Sequence, residues 1–174
     1  TVLDITTGAG NDTIMAASGS GVVSAGGGNN SITLGNGTST VITGSGNDTI
    51  VTGTGNSTIN AGDGVNIITT TAAIVNITGG AGDDTITALN GAGTIAIGNG
   101  TNSITVGNGT FTITGGTGAD TILAGNGNNI INVGAGNNSV TVGNGNNTID
   151  GGAGNDQFIA GNGTNTFRGG LGTN

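Results

Sequence analysis

A nine-residue period runs through the whole chain without one insertion or deletion, and few folds accommodate it. A large apolar residue stands at Ile5, Ile14, Val23, Ile32, Val41 and Ile50, and the same step continues through Ile104, Ile113 and Ile122 to Phe158 and Phe167. Each nonad pairs a Gly-rich turn with a short β-branched segment such as Ser103-Ile104-Thr105 or Thr112-Ile113-Thr114. Glycine supplies the turn geometry, and β-branched residues fit a pleated surface. Alternation along each segment puts the central aliphatic inward and its two neighbours outward. A unit this short cannot bury its apolar face alone, so it must stack on copies of itself. No helical periodicity competes with this pattern.

The phase of the repeat carries further information two residues before each apolar slot. Asp occupies that position at 12, 48, 84, 120 and 156, and Asn30, Asn66, Asn102, Asn138 and Asn174 stand midway between them. The intervening nonads carry Leu3, Gly21, Ser39, Ser57, Val75, Gly93, Phe111, Asn129, Asn147 and Asn165. The turns therefore fall into two classes that alternate nonad by nonad: edge A with the Asp/Asn series, and edge B with the mixed one. Two nonads per coil give that alternation, and three would not. The expected fold is all-β: a flattened, right-handed parallel β-roll (a β-solenoid) with eighteen residues per coil. Its two thin sheets face each other, with Ile104 and Ile113 on opposite ones. Nine to ten coils at ~4.8 Å make a rod of roughly 46 Å.

The template behind every nonad is clearest at Gly151-Gly152-Ala153-Gly154-Asn155-Asp156-Gln157-Phe158-Ile159, or G-G-x-G-x-D-x-U-x with U large and apolar. This resembles the RTX (repeats-in-toxin) nonapeptide, the haemolysin-type calcium-binding repeat, and the resemblance covers the whole chain. It implies a Ca2+ cofactor, with turn carbonyls and Asp side chains of adjacent coils enclosing the ion. The matching ligand positions are Asp12, Asp48, Asp84, Asp120 and Asp156. It also implies a secreted or cell-surface bacterial protein. The chain departs from the family pattern in one respect. Asp recurs only on alternate coils of edge A and never in the slot on edge B, so any calcium is expected on edge A and held weakly. Edge B is expected to be a metal-free Asn/Ser turn.

Charge spacing sets the consequence. Like charges ~4.8 Å apart repel by roughly 3.5 kcal/mol at an effective dielectric of 20, and doubling the spacing halves that. A full Asp ladder needs a cation between its members, whereas this half-ladder tolerates being empty. Asn amides between the carboxylates can also donate to them. The remaining acids, Asp4, Asp63, Asp83 and Asp150, are assigned to solubility. Two nonads on edge B deviate: Thr71–Gly79 loses its turn glycines, and Leu89–Ile97 has Leu89 in place of the first. Val75 and Phe111 are read as plugs of turns that hold no metal.

Several function classes fall away. A formal charge of −8 with one basic residue, Arg168, excludes a nucleic-acid partner. No apolar run approaches the ~20 residues of a membrane span. The chain has no His, Cys, Glu, Lys or Tyr, and its Asp residues form a ladder instead of converging, so no enzyme is expected. Without cysteine the redox compartment is not legible. Residues 1–174 are expected to be a single array, uncapped at both ends: the tail of a repeat at Thr1–Thr7, then eighteen nonads, then the start of another. Such ends imply either excision from a longer protein or self-association end to end. Lateral self-association has a candidate surface in the residues following the slot on one face, where Met15, Val51, Leu123 and Ile159 interrupt a Thr column.

These features point to an extracellular structural rod of a filament, surface layer or adhesin. Two alternatives compete with it. Outward pairs such as Ser31/Thr33, Thr85/Thr87, Ser103/Thr105 and Ser139/Thr141 resemble the flat arrays of ice-binding β-solenoids. The array would also suit a calcium-dependent folding module of a larger secreted protein.

Overall fold

In the computed structural model, residues 2–174 are described, and they form a repeat of strands and turns with no helix. Among the described residues, nineteen strands fall into two parallel sheets. The ten-stranded sheet takes every odd strand, from β1 (Val2–Thr6) to β19 (Thr166–Arg168). The nine-stranded sheet takes every even strand, from β2 (Thr13–Ser18) to β18 (Gln157–Ala160). Register partners sit eighteen residues apart, as in Ile86 with Ile104 and Ile95 with Ile113. Ile104 and Ile113 lie in opposite sheets, so the protein is a β-solenoid of two nonads per coil, as the Asp/Asn phase requires.

The strands end where glycine must take over. Gly82 has φ of 132°, a conformation that side chains rarely adopt, and a Cβ there would collide with the Gly64 carbonyl one coil away. Turns therefore stack backbone on backbone, which only glycine permits at this separation.

The slot residues form the two facing columns of the core, with Ile32, Ile50, Ile68, Ile86, Ile104 and Ile122 in the nine-stranded sheet and Val41, Ile59, Ile95, Ile113 and Ile131 opposite. Most strands also bury a second residue, two beyond the slot, by the same alternation. Leu34, Ala88, Val106, Ala124 and Val142 fill that position on one side, and Ala25, Ala61, Ile97 and Val133 on the other. Thr52 and Thr70 occupy it in the middle of the rod, where Thr52 Oγ1 donates to Thr70 Oγ1 at 2.7 Å and Ser57 Oγ donates to Thr52 Oγ1 at 3.1 Å. The polar pair is buried and satisfied, so it costs little.

The deviant nonads extend strands into the turn. Val75 and Phe111 are fully buried, whereas Ile74 and Leu89, which belong to the two deviant nonads, are about half exposed. Val75 and Phe111 stand on edge B in the slot that Asp or Asn holds on edge A, and there they turn into the core at or beside the start of β9 (Ile74–Thr78) and β13 (Phe111–Gly115).

Candidate metal centres along one edge

The Asp/Asn slot of edge A forms a hydrogen-bonded ladder running the length of the rod. The Asn30 N–H donates to Asp48 Oδ1 at 2.7 Å, the Asp48 N–H to Asn66 Oδ1 at 3.0 Å, and the Asn66 N–H to Asp84 Oδ1 at 2.9 Å. The same step links Asp84 to Asn102, Asn102 to Asp120, Asp120 to Asn138 and Asn138 to Asp156, each at 2.9 Å. Each Asx thus supplies one oxygen to the backbone of the coil before it. That position is buried: Asp48, Asp84 and Asp120 are 1% exposed and Asp156 6%, while Asp12 is half-buried.

The second terminal atom separates Asp from Asn. In Asn30, Asn102 and Asn138, Nδ2 turns inward and donates to the carbonyl two residues back, that of Gly28, Gly100 or Gly136, at 3.0–3.2 Å. Asn66 Nδ2 reaches the Gly62 and Gly64 carbonyls and, at 3.4 Å, the Gly79 carbonyl of the next coil. An Asp in that slot puts an acceptor where the amide puts a donor. Among the described residues, the buried side-chain polar atoms without a partner are the Oδ2 atoms of Asp12, Asp48, Asp84, Asp120 and Asp156. Leaving such a carboxylate oxygen unpaired costs its full desolvation. Accordingly, burial pushes the carboxyls of Asp84 and Asp120 above the usual aspartate range, against the lowering pull of the Asn66 and Asn102 hydrogen bonds.

The orphaned oxygen and a carbonyl of the next coil converge on a glycine that has no side chain to come between them. A Cβ on Gly79 would come within 2.5 Å of Asp84 Oδ2 and 2.7 Å of the Ile97 carbonyl oxygen. On Gly151 it would meet Asp156 Oδ2 at 2.5 Å and the Gly169 carbonyl oxygen at 2.9 Å, together with the Phe158 ring. On Gly115 it would meet Asp120 Oδ2 at 3.0 Å and collide with the Val133 carbonyl. A carboxylate oxygen and a carbonyl oxygen therefore flank one small space with no donor between them. An oxygen-only donor set of this kind suits a hard cation such as calcium. The residue that opens each turn was not singled out in the sequence, although its identity there was legible.

All five sequence-predicted aspartates lie on this edge, but two coils apart, and no cluster of three acidic, His or Cys side chains occurs among the described residues. One carboxylate per centre is the arrangement the chain offers, with carbonyls supplying the rest. The Asn amides do donate to carboxylates: Asn102 Nδ2 reaches Asp120 Oδ1 at 3.0 Å, and Asn138 Nδ2 reaches Asp156 Oδ1 at 2.9 Å. Asp63 and Asp83 do more than confer solubility. Their Oδ1 atoms accept the N–H groups of Ala81 at 3.0 Å and Thr101 at 2.7 Å. Asp83 stands in the outer column of Asn11, Asn29 and Asn47, whose hydrogen bonds run with opposite polarity, and Asp63 stands in a neighbouring column with Asn99, which accepts the Thr117 N–H.

Edge B satisfies itself differently. Asn129, Asn147 and Asn165 form an amide ladder, with Asn129 Nδ2 on Asn147 Oδ1 at 3.1 Å and Asn147 Nδ2 on Asn165 Oδ1 at 2.9 Å. Ser39 and Ser57 are buried 3.5 Å apart, and Val75 and Phe111 close their turns with apolar bulk. A shallow groove of about 500 Å³ crosses the outer face of the ten-stranded sheet, lined by Thr, Asn and aliphatic side chains and no carboxylate.

The family model for the RTX calcium-binding nonapeptide repeat (4 copies) matches residues 6–41, 42–72, 66–95, 112–140 and 141–174. No curated protein and no solved structure matches the chain. Nonads, two-nonad coils and oxygen-lined turns agree with that match over most of the sequence, and the chain belongs to the RTX calcium-binding nonapeptide repeat family.

Proposed function

We propose that this calcium-binding structural repeat domain is an extracellular rod, secreted or held at a bacterial cell surface, that serves a filament, surface layer or adhesin. The single observation that carries the calcium part is the row of orphaned Oδ2 atoms in an otherwise fully hydrogen-bonded edge. Asp12, Asp48, Asp84, Asp120 and Asp156 are the residues offered to the metal. Calcium held there would supply positive charge to the orphaned carboxylate oxygens and the turn carbonyls beside them. The chain's own residues hold the edge ready: the Asn slots between satisfy their carbonyls with amides, and backbone N–H groups fix Oδ1 of Asp48, Asp84, Asp120 and Asp156.

The rod part is supported by uniform coils and by the lack of a cleft lined with reactive groups among the described residues. Self-association belongs to the same reading. Every coil offers its neighbour the same strand edges, so a second copy can continue the stack. Side by side, copies can meet through the column that holds Met15, Leu123 and Ile159, which are 78%, 48% and 53% exposed.

Changing all five aspartates to Asn tests the calcium assignment. The variant is expected to keep its β-sheet circular dichroism, since Asn already fills the slot on alternate coils, and to lose calcium uptake in equilibrium dialysis. Unchanged uptake rejects the assignment.

A further inference from the structure

The five aspartate turns are not equivalent, and the difference lies in the residue that opens each one. The turns of Asp84, Asp120 and Asp156 open with Gly79, Gly115 and Gly151, whereas those of Asp12 and Asp48 open with Thr7 and Thr43. The turns of the Asn series open instead with Ala25, Ala61, Ile97, Val133 and Gly169, none of which carries a polar side chain.

The two threonines do something specific with their hydroxyls. Thr7 Oγ1 donates to the Ala25 carbonyl at 2.9 Å, and Thr43 Oγ1 donates to the Ala61 carbonyl at 2.6 Å. Ala25 and Ala61 stand eighteen residues on, in the register position that Ile97, Val133 and Gly169 hold in the glycine turns. The same carbonyl is therefore capped by a hydroxyl in two turns and left facing the orphaned carboxylate oxygen in three. In the glycine turns, that carbonyl and Oδ2 converge beside a residue with no side chain. In the threonine turns, a β-branched side chain stands at that position, and its hydroxyl already satisfies one of the two oxygens. Thr43 is itself buried, at 5% exposure, so it is not free to swing into solvent.

We propose that three of the five aspartate turns hold calcium: those of Asp84 with the Ile97 carbonyl, Asp120 with the Val133 carbonyl and Asp156 with the Gly169 carbonyl. Thr7 and Thr43 close the other two. The metal is thereby confined to the C-terminal part of the rod, with the first coils held by side-chain hydrogen bonds in its place. By register with the Asn turns, the carbonyls of Gly82, Gly118 and Gly154 complete the oxygen set on the near side. The proposal rests on the calcium-edge reading above and adds to it which turns are competent.

Equilibrium dialysis against calcium alone separates the two. The unmodified chain is expected to saturate at three ions. Asp84→Asn, Asp120→Asn and Asp156→Asn should each lower that number by one, and Asp12→Asn and Asp48→Asn should leave it unchanged. Because Asn occupies the same slot on neighbouring coils, each variant is expected to fold, which circular dichroism verifies. Thr43→Gly should raise the number to four. Saturation at five ions, or loss of one ion on Asp48→Asn, overturns the division while leaving the calcium edge intact. No uptake by the unmodified chain overturns the calcium edge and the division with it.

Discussion

In excess chelator, the chain is expected to retain the far-UV circular dichroism of a β-sheet protein, and calcium is expected to raise its thermal midpoint by tens of degrees. The first half follows from charge spacing. Carboxylates on alternate coils are ~9.6 Å apart and repel by roughly 1.7 kcal/mol per pair at an effective dielectric of 20. The isoleucine columns and the two hydrogen-bonded ladders of edge A remain without metal. The second half follows from linkage. A site filled at a hundredfold excess over its Kd adds about 2.7 kcal/mol, so three sites add about 8 kcal/mol. For a chain of this size that corresponds to roughly 15–30 °C. A random-coil spectrum in chelator contradicts the electrostatic argument.

The pH dependence in chelator has a defined sign. Burial raises the carboxyls of Asp84 and Asp120 in the folded state. Below the ordinary aspartate value, near pH 4, both states are protonated and this stability is fully present. As pH rises, the unfolded chain ionises first and the stability is lost. Acidifying from pH 7 toward about 4 should therefore raise the midpoint without metal, since a protonated Oδ2 becomes a donor facing a carbonyl. In calcium the trend should reverse, because protons compete for the same oxygen.

Restoring a full aspartate ladder should convert the chain into one that folds only with calcium. Replacing Asn66, Asn102 and Asn138 with Asp makes the slots from 48 to 156 continuous, which places six adjacent pairs ~4.8 Å apart. At roughly 3.5 kcal/mol each, the repulsion totals about 20 kcal/mol before relaxation, more than the ~5–15 kcal/mol that holds a typical domain together. The substitution also removes the amide donors on the Gly100 and Gly136 carbonyls. The triple variant should be a random coil in chelator and regain β structure on calcium addition. A variant that stays folded in chelator shows that the spacing of charge does not govern metal dependence in this array.

The fold was legible because a nine-residue period without slips leaves one arrangement, and the thirty-six-residue spacing of Asp12, Asp48, Asp84, Asp120 and Asp156 fixed two nonads per coil. The slot aliphatics and the burial of Val75 and Phe111 followed from the same frame. The second inward column, with Leu34, Val106 and Val142, follows the alternation but varies between Ala25, Thr43, Gly79 and Ile97, so no constant aliphatic marks it. Two features needed three dimensions. That Asp63 and Asp83 accept backbone N–H groups depends on which atoms stack one coil away. That Gly79, Gly115 and Gly151 matter depends on the carbonyl of the next coil converging on the same space as Oδ2. Sequence spacing places residues on an edge; it does not say which of their oxygens are left without donors.

The central claim, that calcium enters the donor-free space beside the orphaned oxygens of edge A, is tested most directly by an anomalous difference map from crystals grown in calcium. The account predicts peaks in the turns of Asp84, Asp120 and Asp156, within bonding distance of Oδ2. Peaks confined to edge B, or to the outer Asp4 and Asp150, would contradict it.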